Sequence, residues 1–294
     1  LRKNGKQTMI IRILAAIKVI FILLIDFVLI NYMLNIEIAI IVTIGIMLYA
    51  WIGEYIGLFK DKAISLKNLG EYEKTKLLRA YSYLIKDVKR IKKIDISKLK
   101  LHVIPSEDIN AFCYGFNNIA ITRSALNACD NITIAAVLGH EISHLLNLDA
   151  IINRLIFANI TLVLAAIGVI SFFSISFIWL IFILLCLSHI CGNVLSIYIF
   201  NGINKILKGI FTLAQHLILF FYQITIGFIN RSIEFRCDKF SCQLGYASEL
   251  NYFLTRFIEG QETYPKSLNK ILYSSHPATN KRVIRIENYC ISNK

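Results

Sequence analysis

The stretch from Ile151 to Phe200 most constrains the fold of this chain, because Arg154 is its only strongly charged residue. These fifty residues far exceed the roughly 20 that one helix needs to cross a bilayer. A pair of membrane-spanning helices fits this length, with a turn expected near Ser171 to Ser176. Lipid offers no hydrogen bonds to an open backbone, so a helical pair is the structure that such a stretch favours. The sequence therefore predicts an integral membrane protein.

Two further apolar runs precede it, from Ile13 to Leu34 and from Ile38 to Phe59. Hydrophobic residues make up 56% of the chain and its mean hydropathy is +0.60, well above the usual apolar fraction of a soluble globule. Bulky residues from Asn31 to Leu34 stand where a signal-peptide cleavage site would need small ones. We therefore interpret the first run as an uncleaved span and expect about four transmembrane helices in all.

The charged residues indicate which side of the membrane the remaining segments occupy. The formal net charge is +13, and the segment from Lys60 to Lys100 holds thirteen Lys or Arg against five acidic residues. The positive-inside rule then places this segment and the N-terminus in the cytoplasm. A nucleic-acid partner is not expected, because no RNA- or DNA-binding motif accompanies the basic residues. Seven scattered cysteines without a C-x-x-C pair fit reduced thiols that face a cytoplasm.

The segments between the apolar runs predict a small folded domain. Apolar residues recur at helical spacing from Leu69 to Lys93. A short helix is expected from Arg123 to Ala128, and Asp130 is a plausible N-cap for the helix that follows it. Alternating runs indicate three short strands, which are Leu99–Ile104, Asn110–Tyr114 and Ile119–Thr122.

The helix after Asp130 contains the motif His-Glu-x-x-His, formed by His140, Glu141 and His144. Residues four apart lie on one face of a helix, so both imidazoles can reach one zinc ion, and Glu141 can take a proton from water that the metal activates. This pattern is the zinc-protease signature, although a chance pair of histidines on an amphipathic helix gives the same spacing. The fold class that we expect is a mainly α integral membrane protein with about four transmembrane helices and a cytoplasmic, zincin-like α+β domain containing a small sheet.

A zinc enzyme needs a third protein ligand and an open position for water. Residue 150 is Ala, so a later residue must serve, and Glu234 stands out because Asp238 follows four residues later on the same helix face. Asp238 can then accept the outer N–H of a ligand histidine. Spacing alone leaves open a second interpretation, in which this is a solvated helix with ordinary ion pairs. Cys237 is a rival soft ligand that we expect on another helix face. The other candidate acids are Glu249, Glu259, Glu262 and Glu287.

The apolar run from Gly209 to Asn230 is long enough for a fifth span. His140 and Glu234 can share a metal only if an even number of crossings separates them, and the pair of helices between Ile151 and Phe200 already supplies two. We therefore expect residues 209–230 to form a helix that is buried in the protein or lies at the interface. The expected parts are a transmembrane hairpin at 1–59, a cytoplasmic protease part at 60–150, a second hairpin at 151–200 and a cytoplasmic or interfacial helical part at 201–294.

Four sequence blocks resemble the HtpX family of integral-membrane zinc metallopeptidases, which are relatives of the CAAX prenyl proteases. The order of the blocks and the apolar segments between them also match, over nearly the whole chain. Cys237 departs from the family by replacing a small Ala, and the turn from Gly115 to Asn118 is shorter than is common. The blocks are Asp108–Phe112, Gly139–His144 followed by Asn147 and Asp149, Arg231–Asp238, and Ser275–Pro277 with Lys281 and Arg282.

The resemblance implies one zinc ion per chain, held by His140, His144 and Glu234, with Glu141 as general base and acid. It also implies that Asn110, Ala111 and Phe112 pair with an extended substrate peptide, and that His276 donates to the tetrahedral oxyanion. The same resemblance assigns supporting positions around the site to Asp149, Asp238 and Arg282, of which Arg282 positions His276. From the residues alone, His276 could equally be an ordinary loop residue.

The expected activity is that of a zinc metalloendopeptidase in the cell membrane, with both termini and the active site in the cytoplasm. The resemblance implies polypeptide substrates, chiefly misfolded or damaged membrane proteins, and the lipid bilayer as the other partner. One alternative is a prenyl-protein endopeptidase, against which the small number of spans argues. Another is a non-proteolytic membrane scaffold with a zinc site, against which Glu141 argues because structural zinc does not need that carboxylate.

Overall fold

We describe a computed structural model of the chain, which covers residues 2–187, 194–258 and 278–292. Helices dominate these residues, and one small sheet lies between the second and fourth helices along the chain. The helices are α1 (Arg2–Met33), α2 (Ile36–Lys60), α3 (Glu71–Asp87), α4 (Arg123–Ala128), α5 (Asn131–Asn147), α6 (Asp149–Leu187), α7 (Val194–Gln243), α8 (Ala247–Phe253) and α9 (Thr279–Ser292). The strands are β1 (Ile64–Ser65), β2 (Lys100–Ile104), β3 (Ala111–Tyr114) and β4 (Asn118–Thr122).

Within the described residues, four helices are long and apolar enough to cross a membrane: α1, α2, α6 and α7. Their large hydrophobic side chains are mostly exposed, as in Phe21, Ile41, Phe172 and Leu213. Exposed apolar surface on this scale is unfavourable in water but suits contact with lipid. The expected number of transmembrane helices and the mainly α fold class are therefore confirmed.

The turn predicted near Ser171 to Ser176 is wrong, because α6 runs through these residues without a break and ends at Leu187. This segment contains neither Pro nor Gly, and serine is accommodated in an apolar helix because its hydroxyl can bond back to the helix's own carbonyl groups. The three serines were mistaken for a turn signal. Several serines in a short segment are typical of a loop, but serine does not force a helix to end.

The run from Gly209 to Asn230 is part of α7, which continues for 50 residues from Val194 to Gln243. The expectation of a helix buried in the protein is wrong, because Phe221 and most other large side chains of this run are exposed. A polar residue within it bonds to its own helix, since Nδ1 of His216 donates to the carbonyl oxygen of Thr212 at 2.7 Å. Such local bonding lets a polar residue sit in an apolar helix without interrupting it.

Residues 157–226 form one compact unit, made of the distal parts of α6 and α7. The rings of Phe182 and Phe200 lie 4.4 Å apart between centroids, and Nε2 of Gln215 donates to the carbonyl oxygen of Leu164 at 3.4 Å. The contact at the later residue of α6, Phe182, is with the earlier residue of α7, Phe200, and Leu164 contacts the later Gln215. The two helices are therefore antiparallel. An antiparallel pair of helices thus follows Ile151, but its second helix continues past Phe200, where the expected hairpin ends.

The remaining described residues form a second compact unit, which holds the apolar core of the protein. Helix α5 runs through this core: Leu138, Ile142 and Leu145 are each exposed by 1% or less. Its start is fixed by Asp130, whose side chain accepts a 2.7 Å hydrogen bond from the N–H of Thr133, as predicted from the sequence. Around α5 the core is completed by side chains from α3, the sheet, α8 and α9.

The sheet has the strand order β1-β2-β4-β3. Strands β2 and β4 pair in parallel, and the two outer pairs are antiparallel. The three predicted strands are confirmed within a residue or two at their ends. The two-residue strand β1 was not predicted, because it is too short to show an alternating pattern. Strand β3 occupies one edge, so one side of its backbone faces away from the sheet.

We predict that Leu84→Ala lowers the thermal midpoint of the purified protein, whereas Leu78→Ala leaves it nearly unchanged. Both residues lie on α3, but Leu84 is fully buried in the core and Leu78 is 40% exposed. Removing a buried leucine costs about 2–5 kcal/mol, because a cavity remains and apolar contacts are lost. Thermal unfolding in detergent, followed by circular dichroism, measures both variants against the unmodified chain. Equal midpoints for the two variants would contradict this description of the core.

Candidate metal centre and cleft

Helix α5 presents two histidines to the same point. Nε2 of His140 and Nε2 of His144 lie 3.2 Å apart, and their ring centroids are 4.9 Å apart. His140 is 6% exposed, because the helix that carries it runs through the core. The spacing of four residues thus does what the sequence motif predicts, bringing two imidazole nitrogens within reach of one ion.

A sharp turn after α5 adds the first supporting carboxylate. Leu148 adopts a left-handed conformation (φ 57°) and ends α5, so that α6 begins at once with Asp149. The carboxylate of Asp149 thereby lies 3.0 Å from Nδ1 of His144. Arg236, which reaches over from α7, forms an ion pair with the same carboxylate. The left-handed conformation of Leu148 therefore places Asp149 against His144, and this contact orients the imidazole ring.

Helix α7 supplies carboxylates to the other side of the two histidines. Oε2 of Glu234 lies 3.4 Å from Nε2 of His140, and Oε1 of Glu234 lies 3.7 Å from Nε2 of His144. Four residues later, Oδ1 of Asp238 lies 2.9 Å from Nδ1 of His140. The structure therefore brings together the pair of acids that the sequence singles out, and each stands against a different ring nitrogen.

Arg282, near the start of α9, joins the two acids of α7. Its guanidinium donates to both carboxylate oxygens of Asp238, at 2.8 and 2.6 Å, and lies 3.2 Å from Oε2 of Glu234. Burial alone would lower the pKa of this arginine, but the two carboxylates outweigh burial and raise it further. Arg282 therefore remains charged and offsets the negative charge of the acids. Its expected neighbour His276 lies outside the described residues.

The arrangement fits a tetrahedral zinc ion. Two donor atoms about 2.0–2.1 Å from zinc at a tetrahedral angle lie roughly 3.3–3.4 Å apart. Nε2 of His140 lies close to this distance from Nε2 of His144 and from Oε2 of Glu234, at 3.2 and 3.4 Å. Both Nδ1 atoms face carboxylates, which favours the tautomer whose Nε2 lone pair is available to a metal. Three lone-pair donors this close together repel one another unless a cation lies between them.

The ionisation of His140 reflects the same surroundings. Burial favours its neutral form, but contacts with Asp238 and Glu234 outweigh burial and raise the pKa of His140 to about 10 in the metal-free chain. In the absence of a metal, a proton thus supplies the positive charge that these carboxylates attract. A site that attracts a proton this strongly is also a site for a cation.

Cys237 lies closer to the histidines than the sequence suggests. We expected it on another helix face, yet ligand atoms of His140, His144 and Cys237 all lie within 4.8 Å of one another. The expectation is wrong because residues three apart, such as Glu234 and Cys237, share a helix face. The thiol is also fully buried, so it is shielded from oxidants in solution. Glu234 and Cys237 are therefore rival third ligands, and the carboxylate oxygens of Glu234 lie 3.4 and 3.7 Å from the two Nε2 atoms.

Glu141 lies between the two histidines in sequence and lines a cleft of about 860 Å³. Burial raises the pKa of Glu141, although the nearby histidines oppose that effect. A carboxylate with a raised pKa is better suited to accept and return a proton near neutral pH than an ordinary glutamate. His140, His144 and Glu234 line the same cleft, so proton transfer and metal binding would take place in one cavity.

Strand β3 forms part of the cleft wall, with Asn110, Ala111 and Phe112 among its lining residues. The backbone of Asn110 bonds with Thr122 in both directions. Because strand residues alternate, the backbone groups of Ala111 and Cys113 point away from β4. The side chain of Asn110 accepts a 2.8 Å hydrogen bond from the N–H of Ala111. An edge of backbone groups is thus presented on one side of the cavity.

Sequence reasoning missed several residues of this site. Arg236 was considered only as an ordinary ion-pair partner, and its contact with Asp149 depends on how α6 and α7 pack. Asn153 and Arg154 also line the cleft, although they belong to an apolar stretch that was interpreted only as membrane span. The charge of Arg154, which stands alone in that apolar stretch, is the sequence feature that could have indicated a position in the cleft.

Comparisons with known proteins indicate which family this chain resembles. The model of a family described as Peptidase family M48 matches residues 82–290. The chain is 24% identical over 262 residues to Protease HtpX of Glaesserella parasuis, and 26% identical over 263 residues to Protease HtpX of Haemophilus influenzae strain PittEE. Each match covers 82% of this chain and 86% of the relative. The crystal structure of S. mikatae Ste24p matches 98% of this chain and 67% of that one, with a TM-score of 0.50 and 20% identity.

We predict that Asp149→Ala weakens zinc binding by about 10–100-fold, because His144 loses the partner that fixes its tautomer and orientation. Asp95→Ala is the matched control, since Asp95 is an aspartate outside the cleft. Chelator competition with the purified proteins measures the affinity of each variant. An unchanged affinity in Asp149→Ala would show that the contact with His144 contributes nothing to metal binding.

Proposed function

The chain belongs to peptidase family M48, and on that premise we propose that it is a zinc-dependent endopeptidase that cleaves misfolded or damaged membrane proteins. Membership makes it a membrane metallopeptidase, for which polypeptides are the substrates and a metal is the cofactor. The observation that carries the finer proposal is the convergence of His140, His144 and Glu234 beside Glu141 in one cleft. One zinc ion per chain satisfies this donor set.

The proposed reaction is hydrolysis of a peptide bond. Zinc supplies Lewis acidity, which polarises the scissile carbonyl and lowers the pKa of water towards neutrality. Glu141 accepts a proton as the water oxygen bonds to the carbonyl carbon, and it returns that proton to the nitrogen as the C–N bond breaks. His276 is proposed as a donor to the oxyanion. Arg282 is proposed to hold Asp238 and Glu234, in keeping with its measured contacts.

Substrate is proposed to bind as an extended strand along β3. The outward backbone groups of Ala111 can pair with a peptide by strand addition. Phe112 is 37% exposed and lines the cleft, so it can contact a side chain of that peptide. A substrate carbonyl that bonds to the N–H of Ala111 would displace the side chain of Asn110, which provides a defined local change on binding.

We propose that the cleft faces the cytoplasm. The basic segment from Lys60 to Lys100 contributes α3 and β2 to the same core as α5. The positive-inside rule assigns the lysines and arginines of this segment to the cytoplasm, so we propose the same side for the protease part. The two antiparallel helices between His144 and Glu234 return the chain to the side from which it left. The N-terminus and C-terminus belong to the same side on this proposal.

We predict that Glu141→Gln retains zinc and abolishes cleavage, because glutamine cannot accept the proton while the three metal donors remain. The measurement is zinc content together with cleavage of casein and of a model membrane protein, with and without chelator. Glu71→Gln is the control, since Glu71 is an exposed glutamate whose recorded partner is Lys74. Full activity of Glu141→Gln would overturn the mechanism. Cleavage restricted to a farnesylated peptide would favour a prenyl-protein endopeptidase.

A matched pair of variants on α7 identifies the third metal ligand. We predict that Glu234→Ala loses zinc, whereas Cys237→Ala keeps it, because the oxygen separations of Glu234 match a tetrahedral site. Metal content after dialysis and cobalt absorption spectra report on both variants, and a thiolate ligand gives an intense sulfur charge-transfer band. Loss of zinc from Cys237→Ala, with retention in Glu234→Ala, would assign the sulfur instead.

A further inference from the structure

A peptide that pairs with β3 uses only half of its backbone groups in that pairing. In an extended strand, successive residues direct their N–H and C=O groups to opposite sides. The groups on the side away from β3 would lie inside the cleft, where an unpaired N–H is costly. A cleft that binds an extended peptide therefore needs hydrogen-bonding side chains on a wall other than β3.

Asn153 provides such a group. It lies in the second turn of α6 and lines the cleft together with Asn230 of α7. Its Nδ2 donates to Oδ1 of Asn230 at 3.1 Å. Its Oδ1 is buried and has no hydrogen-bond partner within residues 2–187, 194–258 and 278–292. A buried amide oxygen without a partner carries a desolvation cost that a donor from a ligand would remove.

The position of this amide is fixed from two sides. Asn230 holds its NH₂ group, and the next residue, Arg154, packs against the glycines of α2. A Cβ atom added at Gly53 would lie 2.5 Å from Nη1 of Arg154, and one added at Gly57 would lie 3.7 Å from Nη2. The start of α6 is therefore held between α2 and α7. A side chain held in this way can bind a ligand without first losing much conformational freedom.

We propose that Asn153 is a substrate-binding residue whose Oδ1 accepts a hydrogen bond from a backbone N–H of the bound peptide, and that Asn230 orients it. The proposal rests on the peptidase function proposed above. Strand β3 and Asn153 then bind the two sides of one extended peptide. Because the recognised group is a backbone N–H, the contact is independent of the substrate's side chains, and proline at that position of the substrate is disfavoured.

The test measures binding separately from catalysis. In the zinc-loaded Glu141→Gln protein, fluorescein-labelled β-casein is titrated and its anisotropy gives a dissociation constant. Adding Asn153→Ala should raise this constant about fivefold, which corresponds to one neutral hydrogen bond. Adding Asn153→Asp should leave it close to the parent value, because aspartate keeps the acceptor and Asn230 can turn its own NH₂ towards it. In the active enzyme, Asn153→Ala should raise KM with little change in kcat, as expected for uniform binding.

The controls separate this proposal from the proposed function. Asn127→Ala, at an exposed site outside the cleft, should bind like the parent. If Asn153→Ala loses zinc or fails to fold, Asn230→Ala carries the test, with a smaller rise in the dissociation constant expected. Unchanged binding in the folded variants, or equal weakening by Ala and Asp at position 153, overturns the role of Asn153. A wild-type protein that holds zinc but cleaves nothing overturns the peptidase function instead.

Discussion

The close approach of three electron-rich atoms, two histidine nitrogens and one glutamate oxygen, is the constraint on which the site depends. Such atoms repel one another, so they stay together only where the chain holds each one from behind and a cation balances them. Asp149 and Asp238 bind the outer nitrogens of the histidines, and Arg236 and Arg282 bind those aspartates. Each histidine thus contacts an aspartate, and each of those aspartates in turn contacts an arginine.

These two series of contacts join parts of the site that are distant in the sequence. The histidines come from α5, a helix that runs through the core, and this fixes their backbone. The acids come from the start of α6 and the end of α7, which are the two places where the antiparallel membrane helices join the rest of the chain. Arg282 comes from α9, which packs on the same core.

The sequence predicts those features that depend on local spacing. The motif on α5 and the pair of acids on α7 follow from a spacing of four residues, and the strand positions follow from an alternation of two. The cap at Asp130 follows from the preference of aspartate for the start of a helix. The sequence does not predict features that depend on packing, such as Arg236 meeting Asp149 or Asn153 meeting Asn230. The turn near Ser171 to Ser176 was wrong for a related reason, since a composition typical of loops ends a helix only if it disrupts the backbone.

Strand β3 is four residues long and stands at the edge of the sheet. A polypeptide can pair with such an edge only if its own backbone groups are not already paired. A residue in the interior of an intact helix or in a central strand has both groups engaged by its own fold, whatever its side chain. If substrate binds along β3 as we propose, local unfolding would precede cleavage, and a stable protein would be protected by its own hydrogen bonds. The rate at which a given membrane protein is degraded would then report how often one of its segments opens.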